Sequence, residues 1–152
     1  MAQIPHQAVK REMEKPTIVQ FEITGKDAGA QQHFYASLFG WEMHGRPGYE
    51  RTRAAETGLP GAIGSTRSGP NGGRDEGWDG GSGQLTVYVE VADLPATLSA
   101  AEKLGGKIVA PLYEVPGRQL AVAFIADPEG HVVGLSQGLR RAIEQAGFAN
   151  TR

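Results

Sequence analysis

Cysteine is missing from the 152 residues, and with it go disulfides, thiolate metal sites and thiol nucleophiles. Charge of one sign is lacking too. Fifteen Lys and Arg stand against 17 Asp and Glu, a formal net charge of -2, so no global field favours nucleic acid or an anionic membrane. No stretch approaches the roughly 18 apolar residues that cross a bilayer. The opening MAQIPHQAVKREMEKP has no apolar signal-peptide core. These absences lead us to expect a cytoplasmic protein whose partner is neither nucleic acid nor membrane. Walker, nucleophile-elbow and G-x-G-x-x-G motifs are also lacking. Histidine is scarce: among His6, His33, His44 and His131 no pair has the spacing that sets two imidazoles on one helix or strand face.

Glycine, by contrast, is abundant. Its 22 residues are roughly twice average usage, and seven of them fall in 65–83, STRSGPNGGRDEGWDGGSG. That stretch reads as a long connection between two ordered parts, 17–64 and 84–137, with an N-terminal extension over 1–16 and a C-terminal one over 138–152.

The two parts repeat one pattern. TIVQFEI alternates Val19, Phe21 and Ile23 with Gln20, Glu22 and Thr24; LTVYVEV alternates Leu85, Val87, Val89 and Val91 with Thr86, Tyr88 and Glu90. Each strand leads to an aspartate, Asp27 or Asp93, and then to a helical pattern closed by glycine. Asp27 and Asp93 share the same 66-residue offset as Gly40 and Gly106. Strand-like material follows each helix: Trp41 to Met43, Tyr49 to Ala54 and Gly61 to Gly64, then Lys107 to Ala110, Gln119 to Ile125 and His131 to Ser136 after the Asp127-Pro128-Glu129-Gly130 turn. The expected fold is α+β, two βαβββ modules in one unit. Its expected core is Val19, Phe21, Ile23, Phe34, Leu38, Val87, Val89, Leu98, Leu104, Val133 and Leu135. LRRAIEQAGFANTR suits a short helix covering the sheet or a second subunit of a homodimer.

The segments QFEITGKD, HFYASLFGWE, LTVYVEVADLPATLSAAEKLGGK and FIADPEGHVVGLSQ resemble the vicinal oxygen chelate superfamily, which contains glyoxalases, bleomycin-resistance proteins and extradiol dioxygenases. The resemblance implies a cupped, incomplete barrel with ligands in the concavity. It also implies where a metal would be held: Gln20, Gly64, Thr86 and Gly134. Glycine offers no side-chain donor and a lone threonine hydroxyl is a poor one. The expectation is therefore no metal and no cofactor, and a cup that binds a small organic molecule as the bleomycin-resistance branch does. The alternative is a metal-independent isomerase, epimerase, cyclase or lyase acting through Glu22, Glu90 or Tyr88.

Strand period nominates the cup's lining. If the aliphatic set packs on the helices, then Gln20, Glu22, Thr86, Tyr88, Glu90 and Ser136 face the ligand, with Gly64 and Gly134 leaving room for it. Glu22 and Glu90 are the candidate acid-base groups, since a carboxylate half-enclosed by apolar surface titrates higher. The competing reading leaves both solvated or paired with arginine. Tyr88 either orients a ligand or fills the cup. Trp78, the one large apolar residue of the glycine-rich connection, is a candidate lid residue; Arg67 and Arg74 nearby could pair with an anion.

Overall fold

The computed structural model describes residues 15–46, 48–65 and 83–149. The expected lid residue Trp78, with Arg67 and Arg74, lies outside the described residues. The first half runs β1 (Thr17–Gly25), α1 (Ala28–Phe39), β2 (His44–Arg46), β3 (Tyr49–Thr52), a one-turn α2 (Ala54–Thr57) and β4 (Gly61–Ser65). The second runs β5 (Gly83–Glu90), α3 (Leu94–Lys103), β6 (Lys107–Val115), β7 (Leu120–Ala126) and β8 (Val132–Gln137), and α4 (Leu139–Gln145) follows. The eight strands form one open sheet, ordered β2-β3-β4-β1-β5-β8-β7-β6. β1 and β5 pair antiparallel at its centre, and each pairs parallel with the last strand of its own half. The order is the same read outward from that central pair in either direction, so the fold is α+β with two βαβββ modules.

The local chemistry matches the landmarks. Asp27 caps α1 by accepting from Ala30 N–H at 2.9 Å, and Asp93 caps α3 by accepting from Ala96 N–H at 3.0 Å. Gly40 ends α1 at φ 73°. After α3 the left-handed residue is Gly105, at φ 97°, and not Gly106. In the turn before β8, Asp127 Oδ1 accepts from the N–H groups of Glu129 and His131, each at 2.9 Å. The His131 N–H foremost holds this carboxyl below its ordinary range.

The helices α1 and α3 pack on one face of the sheet. Leu94 and Leu98 of α3 pack with Val91, Ala123 and Leu135, with Val89, Ile108 and Ile125 against them. The opposite face carries the second apolar cluster, Val19, Tyr88, Ala110, Leu120, Val122 and Phe124, closed by Leu139 and Ile143 of α4. The C-terminal helix thus covers the sheet of its own chain.

Several expected core positions are elsewhere. Phe34 is 54%, Leu38 59% and Leu104 81% exposed. The stripe of α1 turned to the sheet is instead Ala28, Gln32, Tyr35 and Ala36, at i, i+4, i+7 and i+8. Small residues let the helix approach, and Gln32 Nε2 donates to Ile63 O at 2.8 Å. Trp41 does not enter a strand; it stacks on Tyr35 at 5.9 Å and tilts against Phe21 at 6.1 Å, so the next strand starts at His44. On β1 a register shift between Ile18 and Gln20 places Val19 in the α4 cluster, away from the helices α1 and α3.

Burial at Leu139, 1% exposed, and at Leu104, 81% exposed, gives opposite expectations. Leu139→Ala should cost about 2–5 kcal/mol and Leu104→Ala no more than about 0.5 kcal/mol. Urea unfolding of the two variants beside the parent protein measures both.

Candidate functional site

Residues paired across adjacent strands share a face of the sheet. The register therefore builds the site directly. One row holds Arg51, Ala62, Glu22 and Thr86, on β3, β4, β1 and β5; the next holds Gln20, Tyr88, Gly134 and Phe124, on β1, β5, β8 and β7. Ser136 stands in a third row between Glu90 and Val122. Six expected lining residues, Gln20, Glu22, Thr86, Tyr88, Gly134 and Ser136, thus meet on the inner face, the one covered by α4. They are deeply buried: Gln20, Tyr88 and Ser136 are 0% and Glu22 4% exposed.

Glu22 is the centre of the arrangement. Tyr49 Oη donates to its Oε2 at 2.7 Å and Tyr88 Oη donates to its Oε1 at 2.8 Å. Burial raises the Glu22 carboxyl above its ordinary value of 4.5, against the two tyrosine hydrogen bonds and the charge of Arg51, which lower it. Both tyrosine hydroxyls are pushed well up, first by burial and then by the neighbouring Glu22 charge. They are held as donors. Arg51 Nη1 donates to Gln20 Oε1 at 2.6 Å, and its guanidinium lies over the Tyr49 ring at 5.5 Å and the Phe148 ring at 6.0 Å. Among the described residues the buried Gln20 Nε2 has no hydrogen-bond partner.

The glycines do not leave the space expected of them. A Cβ at Gly134 would stand 2.6 Å from the Tyr88 ring, and one at Gly64 would stand 2.5 Å from the Tyr49 ring. Each is a floor over which a tyrosine lies. Ala62 and Gly64 of β4 are what let Arg51 and Tyr49 of β3 reach β1, across two strand spacings of about 10 Å in all.

The register also corrects one position of the implied metal set. Glu22 pairs with Ala62 as Tyr88 pairs with Gly134, so Ala62, not Gly64, is the first module's counterpart of Gly134. The donor set at these places does not fit a divalent ion. Gln20 Oε1 is engaged by a guanidinium, Thr86 offers a hydroxyl, and Ala62 and Gly134 offer no side-chain donor.

Glu90 does not join Glu22. Its carboxylate accepts from Ser136 Oγ at 2.8 Å, Gly138 N–H at 2.7 Å and Arg140 N–H at 3.2 Å, which spends it on the start of α4. Tyr49, Arg51 and Phe148 were not among the residues the sequence nominated. The signal available for the first two was the i, i+2 spacing in YERT, the same two-residue period that nominated Gln20 and Glu22.

The sequence profile described as Glyoxalase-like domain matches residues 20–136. No curated protein matches the chain. Among solved structures, a glyoxalase/bleomycin resistance protein/dioxygenase superfamily member from Vibrio splendidus 12B01 is similar at 14% identity and TM-score 0.54, over 81% of this chain and 99% of that one. Methylmalonyl-CoA epimerase from Mycobacterium tuberculosis is similar at 15% identity and TM-score 0.51, over 89% and 99%. A Legionella pneumophila chain described as NAD-dependent benzaldehyde dehydrogenase is similar at 12% identity and TM-score 0.57, over 78% and 96%. At these identities the likeness is one of fold.

The Glu22 shift has a signed consequence. Below pH 4.5 both folded and unfolded chains hold the Glu22 proton; as pH rises past 4.5 the unfolded chain ionises freely while burial opposes ionisation in the folded one. The parent's stability should therefore fall relative to Glu22→Gln from pH 4.5 upward, and level off above the raised value. Urea melts of both proteins at stepped pH follow that difference. Gly134→Ala, which drives a methyl into the Tyr88 ring, should cost about 1–3 kcal/mol in the same assay.

Proposed function

Because the chain belongs to the Glyoxalase-like domain family, we propose that it binds a small organic molecule on the inner face of its sheet, around Glu22 and without a metal ion at the four strand positions. The observation that carries this reading is the buried polar cluster of Glu22, Tyr49, Tyr88, Gln20 and Arg51. Burying such groups costs folding free energy that an apolar interior would not, and perturbed carboxylates with specific partners concentrate at functional sites. The unpartnered Gln20 Nε2 supplies a donor for a carbonyl or carboxylate oxygen of the ligand. Arg51, part-exposed beside Phe148, stands on the approach to it.

A second reading, a metal-independent isomerase, epimerase, cyclase or lyase, is favoured by one observation: burial raises the Glu22 carboxyl toward the range of a general base. In that role the Glu22 carboxylate takes a proton from a carbon next to the ligand's carbonyl and returns it, while Tyr49 and Tyr88 keep its oxygens aligned. Tyr88 takes the donor's part in this reading, since burial and then the neighbouring Glu22 charge push its hydroxyl well up. Glu90 is set aside, since its carboxylate is engaged with Ser136 and α4.

One experiment separates the two. The parent protein, Gln20→Leu and Glu22→Gln are titrated by calorimetry with methylmalonyl-CoA, the substrate that names the Mycobacterium tuberculosis neighbour, and with a panel of oxo acids. Each bound compound is then followed in D2O by NMR. Binding that weakens about tenfold or more in Gln20→Leu, the loss of one hydrogen bond to a charged group, supports the site. Deuterium appearing next to the carbonyl with the parent but not with Glu22→Gln selects the enzyme reading; tight binding without exchange selects the binding protein. Affinity unchanged in both variants removes the inner face as the site.

A further inference from the structure

A second cluster of ligating side chains forms at the outer edge of the first module, where His44 of β2 extends the inner-face row of Arg51, Ala62 and Glu22 by one strand. Glu42 precedes β2, His44 opens it, and Glu56 belongs to the one-turn α2. One donor atom from each, a carboxylate oxygen or an imidazole nitrogen, lies within 4.8 Å of the other two. His44 pairs with Arg51 across β2 and β3, and its ring lies edge-on to Phe148 at 6.1 Å. His44 Nε2 is shielded from solvent, and among the described residues it has no hydrogen-bond partner; Glu42 Oε1 is 3.8 Å away. Glu56 is oriented as well, because its Oε1 accepts from the Glu42 N–H at 3.0 Å.

Two carboxylates thus converge on a shielded imidazole nitrogen that no described hydrogen bond uses. We propose that Glu42, His44 and Glu56 bind one divalent first-row transition metal ion. One nitrogen and two oxygens suit Zn2+ or Mn2+, whereas Ca2+ wants six to eight oxygens. Ligand bonds of about 2.0–2.2 Å require the donors to draw together by about an ångström. The Glu42 side chain, 71% exposed, is free to swing inward. Three protein ligands leave coordination positions for water or an anion.

The test uses the full-length protein, stripped with chelator and titrated by calorimetry with ZnCl2, MnCl2 and CaCl2. One equivalent of Zn2+ should bind, more tightly than Ca2+. His44→Ala and Glu56→Gln should each lose at least the roughly tenfold in affinity that even an outer-shell partner is worth, while His131→Ala keeps full affinity. Should His44→Ala fail to fold in thermal melts, the exposed Glu42→Gln carries the same expectation with no packing to lose. Absence of saturable binding at one equivalent, or affinity unchanged in Glu42→Gln and Glu56→Gln, overturns the proposal.

Discussion

One carboxylate organises the inner face. A buried ionisable group is tolerated only when its oxygens are paired, and Glu22 is paired from both sides, by Tyr49 of β3 and Tyr88 of β5. Those strands flank β1 at different distances: β5 is its neighbour, while β3 lies beyond β4. The long reach of Tyr49 requires β4 to present almost nothing on that side, and it presents Ala62 and Gly64. The ring of Tyr88 requires the same of β8, which presents Gly134. The small residues, the aromatic pair and the buried carboxyl are one requirement expressed three times.

The same register shows how an internal repeat became asymmetric. Glu22 and Tyr88 occupy matching places in the two modules, as do Gln20 and Thr86, and Ala62 and Gly134. One strand further out, Arg51 pairs with Ala62 as Phe124 pairs with Gly134, and Tyr49 pairs with Gly64 as Val122 pairs with Ser136. Where the first module places Tyr49 and Arg51, the second places Val122 and Phe124. The inner face is therefore polar on one side and apolar on the other. The apolar side is the one that α4 closes, with Leu139 and Ile143 against Val122 and Phe124.

Alternation in TIVQFEI and LTVYVEV made the strands legible, and the aspartate and glycine landmarks made the helices and the repeat legible. Period two separates the faces of a strand but does not say which face is buried. Gln20, Tyr88 and Ser136 are fully buried, whereas Leu85, on the aliphatic side, is 74% exposed. The hydrophobic residues of α1 misled in a related way: the sheet selects Ala28, Gln32 and Ala36 because close approach favours small side chains and Ile63 O can accept from Gln32, so Phe34 and Leu38 turn outward. The implied position Gly64 lies two residues past Ala62, the true counterpart of Gly134, a slip that only hydrogen-bond register reveals. His44 is weighed in the sequence only for a second imidazole; its grouping with Glu42 and Glu56 is not legible there, because the chain between 44 and 56 must turn through β3 before Glu56 returns to β2.

Glu90 shows how a strand carboxylate on this fold can serve the site without touching it. By accepting from Ser136 Oγ and from the Gly138 and Arg140 N–H groups, it fixes where the chain leaves β8, and Gly138, at φ 103°, turns it into α4. The helix then crosses the apolar half and delivers Phe148 to the polar one, where its carbonyl accepts from Ala54 N–H at 2.8 Å and its ring meets His44 and Arg51. The segment is thus anchored in the second module and ends on the first. The two carboxylates on the central strands consequently differ in what they do: Glu90 is spent on the start of α4, whereas Glu22 is held by Tyr49 and Tyr88 and raised by its burial.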